Sequence, residues 1–137
     1  MKGMGPIPSG FEASPQGRLA IGGHDCEELV AEAGGTPLFV YDNNLVGSRI
    51  ATFKHCMPAG IALHYAVKAN PYPPLLQWLS RHVDGFDVAS LGELEAIERA
   101  GAAGVTISFA GPGKSDEELA RAIRDSVTIH LESESEA

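Results

Sequence analysis

One lysine closes the most apolar stretch of the chain. Ile61-Ala62-Leu63 and Tyr65-Ala66-Val67 read as a buried strand, Lys68 ends it, and prolines follow at once at 71, 73 and 74. A lysine in that place must leave the core by the strand's C-terminal end, which is where parallel α/β folds put their chemistry. Burial there would disfavour the charged ammonium. The neutral amine is the nucleophile that condenses with a carbonyl to give a Schiff base. A lysine that snorkels from a strand end explains this segment equally well. Further polar groups follow further apolar runs: Asn70, then Asp87 and Ser90, then Gly111-Pro112-Gly113-Lys114, then Glu132 and Ser133. Each has a plainer reading. Asp87 alone could bridge to a surface cation. Ser90 and Glu93 have the spacing of a helix cap. Gly111–Lys114 lacks the spacing of a nucleotide phosphate loop, and turn chemistry accounts for it. It is the set, a lysine first and polar groups at every later strand end, that points to an enzyme.

Those residues need elements to hold them. Strand-like runs fall at about 61–67, 84–89, 105–110 and 127–131, with helical patterns at about 74–82, 91–100 and 116–125. Pro74 suits a first helical turn. Ser90-Leu91-Gly92-Glu93 and Ser115-Asp116-Glu117-Glu118 both read as capping boxes. Leu75, Leu76 and Leu79, then Leu91, Leu94, Ile97 and Ala100, then Leu119, Ala122 and Ile123 keep helical spacing. Strand and helix alternating at this period predict right-handed βαβ units around a parallel sheet. The class is α/β, with about three and a half βα units. A closed eight-unit barrel takes roughly 250 residues. The expectation is therefore the N-terminal portion of a (β/α)8 barrel, incomplete, with a fourth helix begun at Glu132–Glu136.

Before the repeat, Pro6, Pro8, Pro15 and four glycines mark residues 1–18 as an arm with little structure of its own. Leu19-Ala20-Ile21 is a short strand candidate. Asp25 caps a short helix that Gly34-Gly35 end. Leu38-Phe39-Val40-Tyr41 carries a strong strand signal. Asp42-Asn43-Asn44 then caps a helix whose apolar face is Leu45, Ile50 and Phe53. The division expected is an arm and lead-in helix over 1–35 and the barrel part over 36–137.

The 137 residues are 44% hydrophobic and 20% charged, enough for one modest domain. A net charge of -8 speaks against nucleic acid and against an anionic membrane surface. No stretch approaches the roughly 20 apolar residues of a membrane span, and the N-terminus has no apolar core of signal-peptide type. Cys26 and Cys56 make neither a metal spacing nor a redox pair and read as free thiols in the cytoplasm. The five histidines show no ligand spacing, and His64 and His130 read as core residues.

Four blocks, in order, resemble a known family. They are His64-Tyr65-Ala66-Val67-Lys68-Ala69-Asn70; Gly85-Phe86-Asp87-Val88-Ala89-Ser90 with Gly92-Glu93-Leu94; Ile107-Ser108-Phe109-Ala110-Gly111-Pro112-Gly113-Lys114; and Leu131-Glu132-Ser133. The sequence looks like the N-terminal part of the pyridoxal-phosphate-dependent decarboxylases of ornithine, diaminopimelate and arginine, the alanine-racemase-like fold type. Met57-Pro58-Ala59-Gly60 and the Phe109–Lys114 block are most similar to the exosortase-system-associated members. The resemblance implies a pyridoxal-phosphate-binding barrel that decarboxylates a basic or diamino amino acid, with the cofactor in a Schiff base at Lys68. It implies Asp87 beside the cofactor, Ser90 and Glu93 supporting the pocket, Lys114 as structural support, and a homodimer in the full-length form. It also implies that the phosphate-binding loop and the catalytic acid lie beyond residue 137, so that this length alone is inactive. A racemase on the same barrel lacks the Phe86–Ser90 block. A non-catalytic cofactor-binding fragment is the remaining alternative.

Overall fold

The Gly22-Gly23 pair decides the first supersecondary unit. Both residues take positive φ, +59° and +83°, between the paired positions Ile21 and His24. A two-residue hairpin loop of this hand requires such angles, and glycine adopts them without steric cost. Strands β1 (Glu12–Ala13), β2 (Leu19–Ile21) and β3 (His24–Asp25) form an antiparallel sheet in that order. The computed structural model describes residues 10–102 and 104–137. The expected arm is thus corrected at Glu12–Ala13, which pair with β2. The part of that expectation covering residues 1–9 lies outside the described residues. Helix α1 (Cys26–Glu32) starts on Asp25, whose Oδ1 accepts the Glu27 N–H at 2.9 Å and whose carboxylate holds Arg18 Nε at 2.8 and 2.9 Å. Helix α2 (Asn43–Cys56) starts on Asp42, which accepts from the N–H groups of Asn44 and Leu45. Cys26 and Cys56 are free.

Leu38–Tyr41 is not the expected strand. The segment is irregular and exposed, Phe39 to 87%. A strand needs a ladder partner for its backbone groups, and among the described residues β1, β2 and β3 pair only with one another. Helix α2 buries none of its residues, so Phe53 does not sit on a covered face as expected.

The chain forms two compact units, Met1–Cys56 and Met57–Ala137. The second is built as expected: four parallel strands in chain order, β4 (His64–Ala66), β5 (Gly85–Val88), β6 (Thr106–Phe109) and β7 (Thr128–Ile129). Helices α3 (Pro73–Leu79), α4 (Leu91–Arg99) and α5 (Asp116–Arg124) make the crossovers. Parallel strands require such crossovers, and hydrophobic burial on the helix side holds them. Phe86, Val88 and Phe109 are sealed there with Leu76, Leu79, Leu94 and Ile97. Each large apolar side chain so buried contributes roughly 1.5–3 kcal/mol. β4 is shorter than its apolar run, because Ile61–Leu63 precede the ladder and Val67–Ala69 turn into a 3₁₀ helix. Ile123 is 69% exposed, against expectation. α5 turns Ala122 inward, and the next residue lies about 100° further round the helix.

Candidate active site

Side chains alternate across a strand, so register decides which residues share a face. Ala66 pairs with Asp87, Asp87 with Ser108, and Ser108 with Thr128, which makes one row across four strands. The row below is His64, Gly85 and Thr106. These positions face away from the sealed Phe86, Val88 and Phe109. With His130 they line a concavity of about 490 Å³: His64, Ala66, Asp87, Ser108, Thr128 and His130. One face of the sheet is an apolar core and the other is a polar bowl.

Asp87 is half-buried in that bowl, and the Ser108 hydroxyl donates to its Oδ1 at 2.9 Å. Ser108 also has the Phe86 carbonyl oxygen at 3.4 Å and His64 Nδ1 at 3.3 Å. Lys68 lies in the Val67–Ala69 turn, two residues beyond Ala66. Its backbone is tied from both sides. Val67 is fully buried, the Tyr65 hydroxyl donates to the Asn70 carbonyl at 3.3 Å, and Asn70 Oδ1 accepts the Tyr72 N–H at 3.0 Å. The Lys68 side chain is exposed and makes no ion pair among the described residues, so the desolvation expected at this strand end is not found.

Ser90 and Glu93 stand at the end of β5 but serve the start of α4. Ser90 Oγ accepts the Glu93 N–H at 3.3 Å, and Glu93 Oε2 accepts from Ala89 N–H at 2.9 Å. The expected reciprocal box is therefore displaced by one residue. Ser115 and Glu118 do form the full box, and Glu118 Oε1 also accepts the Leu91 N–H of the preceding unit at 2.9 Å. These N–H groups, Ser115's first, hold the Glu118 carboxyl below its ordinary range. Lys114 is support, as expected. Its side chain is 1% exposed, and Nζ donates to Gly111 O at 2.5 Å and to Glu136 at 3.1 Å.

The structure therefore brings Asp87 into the bowl, leaves Lys68 in the turn two residues beyond Ala66 and outside the residues that line the bowl, and uses Ser90 and Glu93 at the helix that follows. His64, Ser108 and Thr128 escaped the sequence reading as site residues, and His130 was placed in the core although it is exposed. The repeat carried a signal for Ser108, which follows Asp87 by 21 positions just as Asp87 follows Ala66 by 21.

A parallel βα sheet with a polar bowl, an accessible lysine and an ordered aspartate at its strand ends defines a barrel-type enzyme domain, its chemistry placed at the C-terminal side of the strands. The chain belongs to the pyridoxal-dependent decarboxylases: the family profile described as pyridoxal-dependent decarboxylase, pyridoxal binding domain, matches residues 44–137. Diaminopimelate decarboxylase of Campylobacter jejuni is 40% identical over 103 residues, 74% of this chain and 26% of that protein. The Aquifex aeolicus diaminopimelate decarboxylase is 36% identical over 113 residues, 82% of this chain and 26% of its own length. The crystal structure of diaminopimelate decarboxylase from M. jannaschi superposes with a TM-score of 0.75 at 28% identity, covering 93% of this chain and 31% of that one. An Aquifex aeolicus crystal structure reaches 0.79 at 36% identity, with the same coverage. The chain thus spans about a quarter of the length of these curated relatives. Pyridoxal 5'-phosphate is the cofactor this family implies. The residues present are compatible with its aldehyde and ring: an accessible amine at Lys68, a carboxylate at Asp87 held by Ser108, and a concavity where Ala66 carries only a methyl.

Proposed function

We propose that this chain is the pyridoxal-binding part of an enzyme that decarboxylates a diamino or basic amino acid, of the diaminopimelate type. What supports the reading is one exposed lysine on a tied turn, two residues beyond Ala66, the strand position that pairs with Asp87. Lys68 is the residue that would hold the cofactor, through its aldehyde, until the substrate amine takes that place. Asp87 presents a fixed negative charge to the bowl. Ser90 and Glu93 support the pocket by fixing the start of α4. When bound, pyridoxal phosphate supplies the electron sink for the pair left behind as carbon dioxide departs. The diaminopimelate decarboxylases among the relatives support the substrate class. The family resemblance supports a homodimer of the complete protein, and the acidic charge with two free thiols supports a cytoplasmic setting. The 137 residues alone bind the cofactor and do not turn over substrate.

The test is to incubate the purified chain with pyridoxal phosphate, reduce with borohydride and map the modified lysine by mass spectrometry. Label confined to Lys68 and absent from Lys68→Ala is expected. Label scattered over Lys2, Lys54 and Lys114, or none at all, would overturn the assignment.

A further inference from the structure

A serine hydroxyl has one proton, and Ser108 has three neighbours to share it with. Asp87 Oδ1 is at 2.9 Å, the Phe86 carbonyl oxygen at 3.4 Å and His64 Nδ1 at 3.3 Å. An ionised carboxylate only accepts, and charge-assisted bonds are the stronger ones. The proton therefore goes to Asp87, the shortest of the three contacts. The Ser108 oxygen is left with lone pairs facing His64, so Nδ1 of that ring must be the donor. The chain runs one way: His64 Nδ1–H to Ser108 Oγ, then Ser108 Oγ–H to Asp87 Oδ1.

The ring is seated for this. A Cβ on Gly85 would lie 2.6 Å from both Cε1 and Nε2 of His64, so the absence of a side chain at Gly85 lets the imidazole lie across β5 and reach β6. Asp87 Oδ2 accepts no hydrogen bond among the described residues, which leaves one carboxylate oxygen directed by the chain and the other open to the bowl.

We infer that His64 is a positioning residue for Asp87: acting through Ser108, it fixes the tautomer, the hydroxyl rotor and the carboxylate orientation that the cofactor meets. The inference rests on the proposed cofactor site for its purpose but not for its test. Long-range ¹H–¹⁵N spectra of the ¹⁵N-histidine-labelled protein, taken at about pH 8, above the ordinary imidazole range, report the tautomer without cofactor. The Nδ1–H form is expected for His64, with Ser108→Ala shifting it toward Nε2–H. An Nε2–H ring in the unsubstituted protein would overturn the inference whatever the lysine mapping gives. A second arm uses the borohydride-trapped labelling rate of Lys68. His64→Leu should slow it on the order of tenfold, the scale for losing an outer hydrogen-bond partner of a site. His64→Asn, whose amide nitrogen can replace Nδ1–H, should restore most of it. Equal rates in both variants would make the histidine a filler and refute the positioning role. If His64→Leu fails to fold, the unsubstituted tautomer still decides.

Discussion

The His64 imidazole occupies the space that a side chain at Gly85 would need. A methyl there would lie 2.6 Å from the ring and equally close to the Thr106 carbonyl oxygen. Gly85→Ala is therefore an overpacking change, with an expected cost of about 1–3 kcal/mol. Adding His64→Ala should recover only part of the loss, because the Thr106 carbonyl belongs to the backbone of β6 and cannot swing aside. Urea midpoints of the three proteins test this. Full recovery in the double variant would show that the ring alone sets the limit.

The turn that carries Lys68 depends on a phenol. Tyr65 sets its ring edge-on to Phe86 at 6.3 Å and spends its hydroxyl on the Asn70 carbonyl. Tyr65→Phe keeps the ring and loses the hydroxyl's bond to Asn70, a hydrogen bond of a kind worth about 0.5–1.5 kcal/mol. The loss should be local. Amide exchange should quicken over residues 67–72 while β5 and β6 stay protected. Uniform acceleration across the sheet would contradict this.

Acid should loosen the Met57–Ala137 unit. Glu118 titrates below its ordinary range because the Ser115 and Leu91 N–H groups bond the ionised carboxylate. Glu136 does so because of the Glu132 N–H and then Lys114. A carboxyl depressed in the folded state binds fewer protons there than in the unfolded state, so stability rises with pH across that interval. The contribution is complete above the unfolded carboxylate value of about 4.3 and disappears as pH falls through the folded value. Urea midpoints taken from about pH 7 down to about pH 3 should fall on the acid side, and Glu118→Gln should flatten the fall. A midpoint indifferent to that substitution would refute the assignment.

Much of the fold was legible because one period runs through it. The 21-residue spacing located all four parallel strands, and serine with glutamate three positions on located two helix starts. What stayed hidden depended on neighbours in space. Leu38–Tyr41 has the composition of a strand and no ladder to join. Glu93 bonds Ala89 rather than Ser90, a choice set by the end of β5. Lys68 was recognised by type, but its exposure was not, since Val67 takes the buried position and the turn lifts the next residue out. His64 looked like core until register placed it two positions before Ala66 on the polar face, and Ser108 became interesting only once Asp87 was seen beside it.

The carboxylates of the rim bind backward along the chain. Glu118 satisfies Leu91, 27 residues earlier, Glu132 satisfies the Gly111 N–H, 21 residues earlier, and Glu136 meets Lys114. The start of α4 is thus finished by the unit that follows it, and the Gly111–Lys114 loop by the segment after β7. A chain leaving the ribosome would complete the start of α4 only once Glu118 has emerged, and a nascent chain stalled before that residue would hold this helix with the Leu91 donor still waiting.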